Sequence, residues 1–269
     1  MTVADEHLED DSEYTEYPGF TVEYRDASHR YWLHKAGKRT AVASVTGVNG
    51  ILAKEALIPW AERMGAEGAL RLEREGKLSE TSIEDAVYAM RSYGEGAAAK
   101  RDEGGERGTS IHEALRDYCE AGEVPGVGDW PPAHRGYVSA LCKWLLKAEP
   151  RPVLVECVVG SAEHGYAGRF DLLAMINGVL TLVDLKTSTS KARVFREAHV
   201  QVAGYELAMA ECRIEPREAT LIVALGEDGS VDAKPSLGTP EQFLAVLECS
   251  KRMRELDSAL RARERETAS

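Results

Sequence analysis

The sequence predicts one α/β domain with a helical insertion. Three observations predict it: short strand patterns near the N-terminus, three closely spaced apolar strand patterns in the middle of the chain, and helical periodicity between and after them. Of the 269 residues, 43% are hydrophobic and 29% are charged, which is enough apolar material for a sizeable core. We therefore expect a globular protein rather than a disordered or fibrous chain.

The strand patterns near the N-terminus predict a β-meander. They are FTVEY (20–24), HRYWLH (29–34) and AVASVT (41–46), with turn-forming residues between them. Helical periodicity follows over 53–75 and 82–99, and the charged, glycine-rich residues 100–108 indicate a loop. We expect Thr109 or Ser110 to begin the next helix, because Ser110 and Glu113 have the spacing of a capping box.

The second half of the chain predicts the core of the sheet. A helix is expected over 133–148, and strands over 153–159, 168–176 and 179–185. A helix over 198–212, a strand over 219–225, a short strand near Val231 and a helix over 240–265 complete the order. The apolar residues of this last helix either cover the sheet or join subunits: Leu244, Leu247, Met253, Leu256 and Leu260.

The net charge of −12 is unevenly distributed along the chain. Residues 1–17 hold seven acids and no lysine or arginine, which leaves −5 for the remainder. We expect 1–17 to be a disordered acidic tail and 18–269 to be a single domain. Within it, 18–104 would hold the meander and a helical part, 105–235 the core that carries the candidate site, and 236–269 the C-terminal helix. Such an acidic body would need a local basic groove to bind nucleic acid.

The apolar stretches and the cysteines exclude several classes of protein. No stretch approaches 18 consecutive apolar residues, and the N-terminus lacks the pattern of a secretory signal, so we expect no membrane contact and a cytoplasmic location. The five cysteines are widely spaced and form no C-x-x-C pair: Cys119, Cys142, Cys157, Cys212 and Cys249. This spacing does not favour a disulfide framework, a zinc ribbon or an iron–sulfur cluster.

The dipeptide Asn177-Gly178 predicts a two-residue hairpin turn and thereby a register. Pairing across that turn places Asp171 opposite Asp184, with Cβ atoms roughly 4.5–5.5 Å apart, and alternation places Lys186 on the same face. Two buried carboxylates at that separation repel each other, and a divalent cation with oxygen ligands, Mg²⁺ or Mn²⁺, would resolve the conflict. The alternative is structural: the aspartates end their strands and pair with Arg169 and Lys186.

Four further side chains support a site at this position. Glu156 is a carboxylate in the otherwise apolar preceding strand, and Gln201 and Tyr205 share one helix face four residues apart. His112 is expected in the first turn of its helix, from where it could reach a metal or a phosphate. A lone histidine is more often structural.

An ordered set of motifs in this chain resembles the RecB-type branch of the PD-(D/E)XK nucleases over about residues 105–225. The set is Gly108-Thr109-Ser110-Ile111-His112, Glu156, Gly168-Arg169-Phe170-Asp171, Asp184-Leu185-Lys186-Thr187, and Gln201 with Tyr205. In addition, residues 29–64 are similar to the N-terminal part of phage-type exonucleases of this branch and of the mitochondrial genome maintenance exonuclease. Related nucleases often hold an iron–sulfur cluster, and the cysteine spacing here departs from theirs.

The resemblance implies a restriction-endonuclease-like core, with a central mixed β-sheet flanked by helices. It implies that Asp171 and Asp184 bind Mg²⁺ or Mn²⁺, with the Leu185 carbonyl and His112 as further ligands. Lys186 would act on the attacking water, Glu156 would belong to the catalytic set, and Gln201 and Tyr205 would support the lysine or contact DNA.

Two basic clusters are candidates for DNA contact beside this site. Lys191, Arg193 and Arg196 follow the Lys186 strand, and Lys100, Arg101 and Arg107 precede the helix of His112. Three aromatic residues could stack on unpaired bases, although core packing is the more common use of such residues: Tyr31, Trp32 and Trp60.

The functional hypothesis is a metal-dependent DNA exonuclease that hydrolyses phosphodiester bonds in phage or bacterial recombination and repair, in the cytoplasm of a bacterium or phage-infected host. The alternatives are a structure-specific endonuclease on the same fold and a DNA-binding module that does not cleave. Expected partners are DNA, a single-strand annealing or recombination protein, and further copies of the chain.

Overall fold

The computed structural model describes residues 11–52, 57–78, 82–189, 191–214 and 218–267. The strands are β1 (Ser12–Tyr17), β2 (Phe20–Arg25), β3 (Arg30–Lys35), β4 (Lys38–Ser44), β5 (Arg151–Ser161), β6 (Tyr166–Ile176), β7 (Val179–Ser188), β8 (Ala219–Gly226) and β9 (Val231–Pro235). The helices are α1 (Val45–Asn49), α2 (Leu57–Arg74), α3 (Ile83–Ser92), α4 (Ala97–Ala121), α5 (Arg135–Ala148), α6 (Arg196–Glu211) and α7 (Pro240–Thr267).

The strands form one mixed sheet in the order β1-β2-β3-β4-β6-β7-β8-β9, and β5 pairs with β6. The meander β1–β4 is antiparallel throughout, whereas β4 runs parallel to β6 and β7 runs parallel to β8. A large mixed sheet with flanking helices confirms the predicted fold class. None of the helices in the described ranges is long and apolar enough to span a membrane.

Two apolar clusters fill the two faces of the sheet. On one face, α6 and α7 pack through residues such as Val202 and Phe243 against Phe170. On the other face, α4 and α5 pack through residues such as Leu115 and Leu141. Because successive residues of a strand alternate between faces, β6 and β7 are buried on both sides, which explains their nearly continuous apolar sequence.

The register predicted from Asn177-Gly178 is confirmed. Ile176 pairs with Val179, and the ladder continues to Leu172 opposite Val183. Beyond that pair β6 and β7 separate, and the N-terminal end of β6 pairs instead with β4, at residues 166 and 167. On this edge of β6, residues 168–171 therefore lie between the part that pairs with β4 and the part that pairs with β7. We call the opening between β4 and β7 at these residues the fork.

The acidic N-terminal segment is partly ordered, which corrects the expectation of a disordered tail over 1–17. Residues 12–17 form β1 and pair along their whole length with β2. The Tyr17 hydroxyl also donates a hydrogen bond to the Val158 carbonyl. An edge strand tolerates acidic side chains because they point to solvent while its backbone is paired. Residues 1–10 of the expected tail lie outside the described residues.

The predicted loop over 100–108 is wrong, because these residues belong to the long helix α4. The expected start at Thr109 or Ser110 is therefore also wrong. Ser110 caps no helix; its hydroxyl is hydrogen bonded to His134 Nδ1 at 2.9 Å. His112 lies more than halfway along α4, so it is not in a first turn. The helix predicted over 82–99 ends at Ser92, and residues 53–56 of the helix predicted over 53–75 lie outside the described residues.

Candidate active site

Three carboxylates lie side by side across β5, β6 and β7. In the β5–β6 ladder the pairs on either side of Glu156 and Asp171 bring these two residues together, and the β6–β7 ladder ends one residue before Asp171 and Asp184. Asp171 is 6% exposed and Asp184 is 1% exposed. Glu156 has a left-handed backbone, with φ of 48°, which is unusual for a residue other than glycine inside a strand. Such local strain is characteristic of functional sites.

Asp171 lies in the fork, where its side chain takes the place of a backbone carbonyl as the acceptor for the Leu185 amide. Its Oδ2 accepts a hydrogen bond of 2.6 Å from the Leu185 amide, where the β6–β7 ladder has stopped. Its Oδ1 lies 3.5 Å from His112 Nδ1. Burial raises the pKa of Asp171, and the charge of Asp184 adds to that effect, although His112 and Lys186 oppose it. The charged carboxylate is therefore held in an unfavourable environment.

Asp184 is contacted by two side chains, Lys186 and Gln201, and Tyr205 contacts the second of them. Lys186 Nζ lies 2.7 Å from its Oδ2, and Gln201 Nε2 donates to its Oδ1 at 3.3 Å. Gln201 Nε2 also donates to the Tyr205 hydroxyl at 2.9 Å. Burial lowers the pKa of Lys186, but the charges of Asp184 and Asp171 together outweigh burial and raise it. The structure thus brings Lys186, Gln201 and Tyr205 to the aspartates.

His112 connects α4 to two of the carboxylates. Its Nδ1 lies 2.7 Å from Glu156 Oε1. The charge of Asp171 and the hydrogen bond with Glu156 raise the pKa of His112 to about 9, against the opposing effect of burial. The second oxygen of Glu156 lies 3.0 Å from Arg169 Nε. Glu156 is therefore held between two cationic side chains.

All of these side chains except Asp184 line a cavity of about 860 Å³ that is open to solvent. The meander contributes part of its wall through Tyr24, Asp26 and His29, and α4 contributes Arg116. Arg169 ties the meander to the site, because its guanidinium lies 4.9 Å from the Tyr24 ring centroid and 3.8 Å from Asp26. The cavity is large enough and open enough to admit part of a polymer.

The donor set at the fork fits a hard divalent cation. One ligand atom from each of His112, Glu156 and Asp171 can be chosen so that all three lie within 4.8 Å of one another. The two carboxylates are the ligands that suit Mg²⁺ or Mn²⁺. Two predicted ligands have other contacts in this structure: Asp184 contacts Lys186, and the Leu185 carbonyl accepts a hydrogen bond of 3.2 Å from Lys186 Nζ.

The predicted DNA contacts mostly lie away from the cavity. Lys191, Arg193 and Arg196 do not line it, and the Arg193 guanidinium lies over Phe195. Arg107 does not line it either, and its guanidinium lies 4.7 Å from the centroid of the Tyr137 ring.

The remaining candidates for DNA contact divide between the cavity and the protein surface. Lys100 pairs with Glu103, and Arg101 is an exposed residue of α4. Tyr31 lines the cavity but is only 8% exposed, and Trp32 lies between Arg25 and Arg39 on the meander. Tyr205 is 3% exposed and lies beneath the aspartates. This position favours a role in supporting Gln201 over contact with DNA.

Sequence reasoning missed Arg169 as a site residue and treated it only as a structural partner of the aspartates. The signal was available, because Arg169 lies two residues before Asp171 in a strand and therefore on the same face. The contribution of Tyr24, Asp26 and His29 had no such signal, since it depends on how the meander folds over the fork.

Comparison with known families adds to this geometry. The sequence model of the PD-(D/E)XK nuclease superfamily matches residues 126–266, just over half of the chain. The match runs from the residues before α5 to the end of α7 and includes Glu156, Asp171, Asp184, Lys186 and Gln201. A search among curated proteins finds no significant match.

Proposed function

The chain belongs to the PD-(D/E)XK nuclease superfamily, and from that membership we propose that it is a divalent-metal-dependent DNA exonuclease. The observation that carries the proposal is the row of Glu156, Asp171 and Asp184 beside Lys186 at an open cavity. Membership confirms the restriction-endonuclease-like fold and makes a nuclease the expected activity. The resemblance of residues 29–64 to phage-type exonucleases favours cleavage from DNA ends.

Each residue of the site has a chemical role in this proposal. His112, Glu156 and Asp171 would hold Mg²⁺ or Mn²⁺, with Asp184 as the further carboxylate. When bound, such an ion lowers the pKa of a water molecule and stabilises negative charge on a phosphoryl oxygen. The Lys186 ammonium orients the attacking water and donates to the phosphoryl oxygen as charge develops there.

The remaining side chains fix the geometry of the reacting groups. Gln201 holds one oxygen of Asp184, and Tyr205 fixes Gln201 from the buried side. Arg169 holds one oxygen of Glu156, which leaves the other oxygen directed at His112. These contacts keep Glu156 and Asp184 in defined orientations before substrate arrives. Less conformational entropy is therefore lost when the reacting groups come together.

The biological setting is part of the same proposal. An exonuclease of this kind would serve phage or bacterial recombination and repair in the cytoplasm, with DNA as its substrate. An exonuclease that degrades one strand from a DNA end leaves the other strand single. A single-strand annealing protein, which would bind that strand, is therefore the expected class of partner. Further copies of the chain remain candidate partners.

The test is a cleavage assay with end-labelled linear DNA and closed-circular DNA, each single- and double-stranded, in Mg²⁺, Mn²⁺ or EDTA. Lys186→Ala is compared with Lys234→Ala, which removes an exposed lysine of β9 that pairs with Asp232. We expect metal-dependent loss of linear DNA only, slowed about 100-fold or more in Lys186→Ala and unchanged in Lys234→Ala. Cleavage of circles would favour an endonuclease, and binding without cleavage under every condition would favour the non-cleaving module.

A further inference from the structure

A second, smaller depression adjoins the active-site cavity. It measures about 350 Å³ and shares His29, Tyr31 and Ser44 with the larger cavity. The two spaces therefore adjoin along the surface where β3, β4 and α1 meet α7. A polymer that enters the larger cavity has a path from the fork, past Ser44, into the depression.

The charges along this path change sign. Carboxylates line the larger cavity on the meander side, among them Asp11, Glu13 and Asp26. The smaller depression is lined by Arg30 and Arg254 and by no carboxylate of the described residues. The acidic character of the cavity suits a metal ion, whereas the basic character of the depression suits an anionic ligand.

Arg30 and Arg254 come from distant parts of the chain, so that the fold itself brings them together. Arg30 begins β3 and Arg254 lies in α7, and both are exposed. Within the described residues Arg30 makes no ion pair, and Arg254 Nη2 donates a hydrogen bond of 2.7 Å to Ser250 Oγ. Ser250 is buried, at 1% exposure, and orients the Arg254 guanidinium through this hydrogen bond. Neither guanidinium is neutralised by a carboxylate there.

We propose that Arg30 and Arg254 form a phosphate-binding track for the DNA strand next to the bond that is cleaved. The inference rests on the proposed function. Guanidinium groups bind phosphate oxygens through paired hydrogen bonds, and such contacts position a strand without reading its sequence. The track supplies the local basic groove that a chain of net charge −12 needs in order to hold DNA. Because the depression adjoins the catalytic cavity, a DNA strand is favoured as its ligand over an acidic protein segment.

The test measures binding rather than cleavage. Fluorescent single-stranded oligonucleotides of 2 to about 12 nucleotides are titrated, over a series of salt concentrations, with Asp184→Asn as the parent protein. Arg30→Gln, Arg254→Gln and the double variant are built on that parent. The matched controls are Lys35→Gln, at the other end of β3, and Arg252→Gln, an α7 residue that pairs with Glu248.

We expect the parent to gain affinity with oligonucleotide length and the double variant to lose most of that gain, tenfold or more for the longest oligonucleotides. The slope of log K against log salt should fall by about 1 to 2 in the double variant, since two phosphate contacts are lost. The controls should bind as the parent does.

If the double variant binds like the parent, the track is wrong and the proposed nuclease stands. If the parent binds no DNA of any length, the proposed function fails with it. Displacement of the oligonucleotide by an acidic peptide that binds more tightly would also overturn the track.

Discussion

A single buried carboxylate in the meander and the cluster of carboxylates at the active site have opposite electrostatic characters. In the meander, Glu23 is fully buried, and both of its oxygens accept hydrogen bonds from Arg39 at 2.6 and 2.7 Å. His34 Nε2 lies 2.7 Å from the same carboxylate, and Arg25 lies at 3.3 Å. The hydrogen bonds from Arg39, with help from His34, lower the pKa of Glu23 to about 2 despite its burial.

In the active-site cluster, by contrast, the neighbouring cations do not offset the burial of Asp171 and its repulsion by the other carboxylates. Burial raises the pKa of Asp171, and the adjacent Asp184 raises it further. A carboxylate with enough cationic donors stabilises the fold and has no capacity for another ligand. A carboxylate crowded by other carboxylates retains affinity for a further cation. The contrast therefore separates a structural acid from a functional one by environment rather than by residue type.

The largest expected effect is on activity in Asp171→Asn. We expect DNA cleavage to fall by about 10³-fold or more, because the amide lacks the charge that holds a divalent cation. The fold should become more stable at pH 7, since the raised pKa means that the ionised carboxylate opposes folding. This gain should shrink as the pH falls from about 6 toward about 3, where Asp171 is mostly protonated in both states. Thermal unfolding at both pH values, beside the cleavage assay, checks the expectation; a less stable variant at pH 7 would contradict it.

The second effect is on stability in Glu23→Gln. A pKa lowered from 4.5 to about 2 stabilises the fold above pH 4.5, and this contribution is lost as the pH falls from 4.5 through about 2. We expect the variant to lose about 3 kcal/mol at pH 7 and to approach the wild type near pH 2. Urea unfolding across that range measures the difference. Glu16→Gln, an exposed change in β1, is the control, and cleavage per folded molecule should be unchanged in both variants.

The third effect tests how closely α6 and α1 approach the fork. A Cβ at Gly168 would lie 2.8 Å from Tyr205 Cε1 and 2.9 Å from a Val45 methyl. We therefore expect Gly168→Ala to destabilise the protein by about 1 to 3 kcal/mol. It should also slow cleavage, because Tyr205 fixes Gln201 and Gln201 fixes Asp184. Unfolding and steady-state cleavage measure the two effects, and wild-type values for both would show that the contact can relax.

The smallest effect distinguishes a helix from a loop at residues 100–108. Gly105 is helical, and a Cβ there would meet nothing within 4 Å. We expect Gly105→Ala to stabilise the protein by about 0.5 to 1 kcal/mol, which is the helix preference of alanine over glycine. Gly122 is the matched contrast, because it ends α4 with a φ of 72° and alanine there should destabilise. A loss of stability in Gly105→Ala would favour the loop predicted from the sequence.

The sheet core and the aspartate pair could be predicted because they depend on local chemistry. Asn177-Gly178 defines a turn, the turn defines a register, and that register, continued one residue beyond the ladder, predicts the proximity of Asp171 and Asp184. His112 could be predicted only through resemblance to a family. Its contact with Glu156 depends on how α4 packs against β5, which no spacing in the sequence encodes.

Two failures have a common physical cause. Gly104, Gly105 and Gly108 suggested a loop, but α4 is helical because Ile111 and Leu115 bury one face and anchor the helix. The acids of residues 12–17 suggested disorder, but β2 offers a strand edge that pairs with their backbone. In both segments tertiary contacts outweigh local preference.

The hydrogen bond from the Leu185 amide to Asp171 makes that amide a natural spectroscopic probe. Its proton points at the carboxylate rather than at a ladder carbonyl, so its chemical shift reports the charge of Asp171 directly. Addition of Mg²⁺ or a change of pH should move this one resonance more than those of its neighbours in β7. A single ¹⁵N-labelled leucine sample can therefore follow ion binding in solution, with no DNA present and no residue altered.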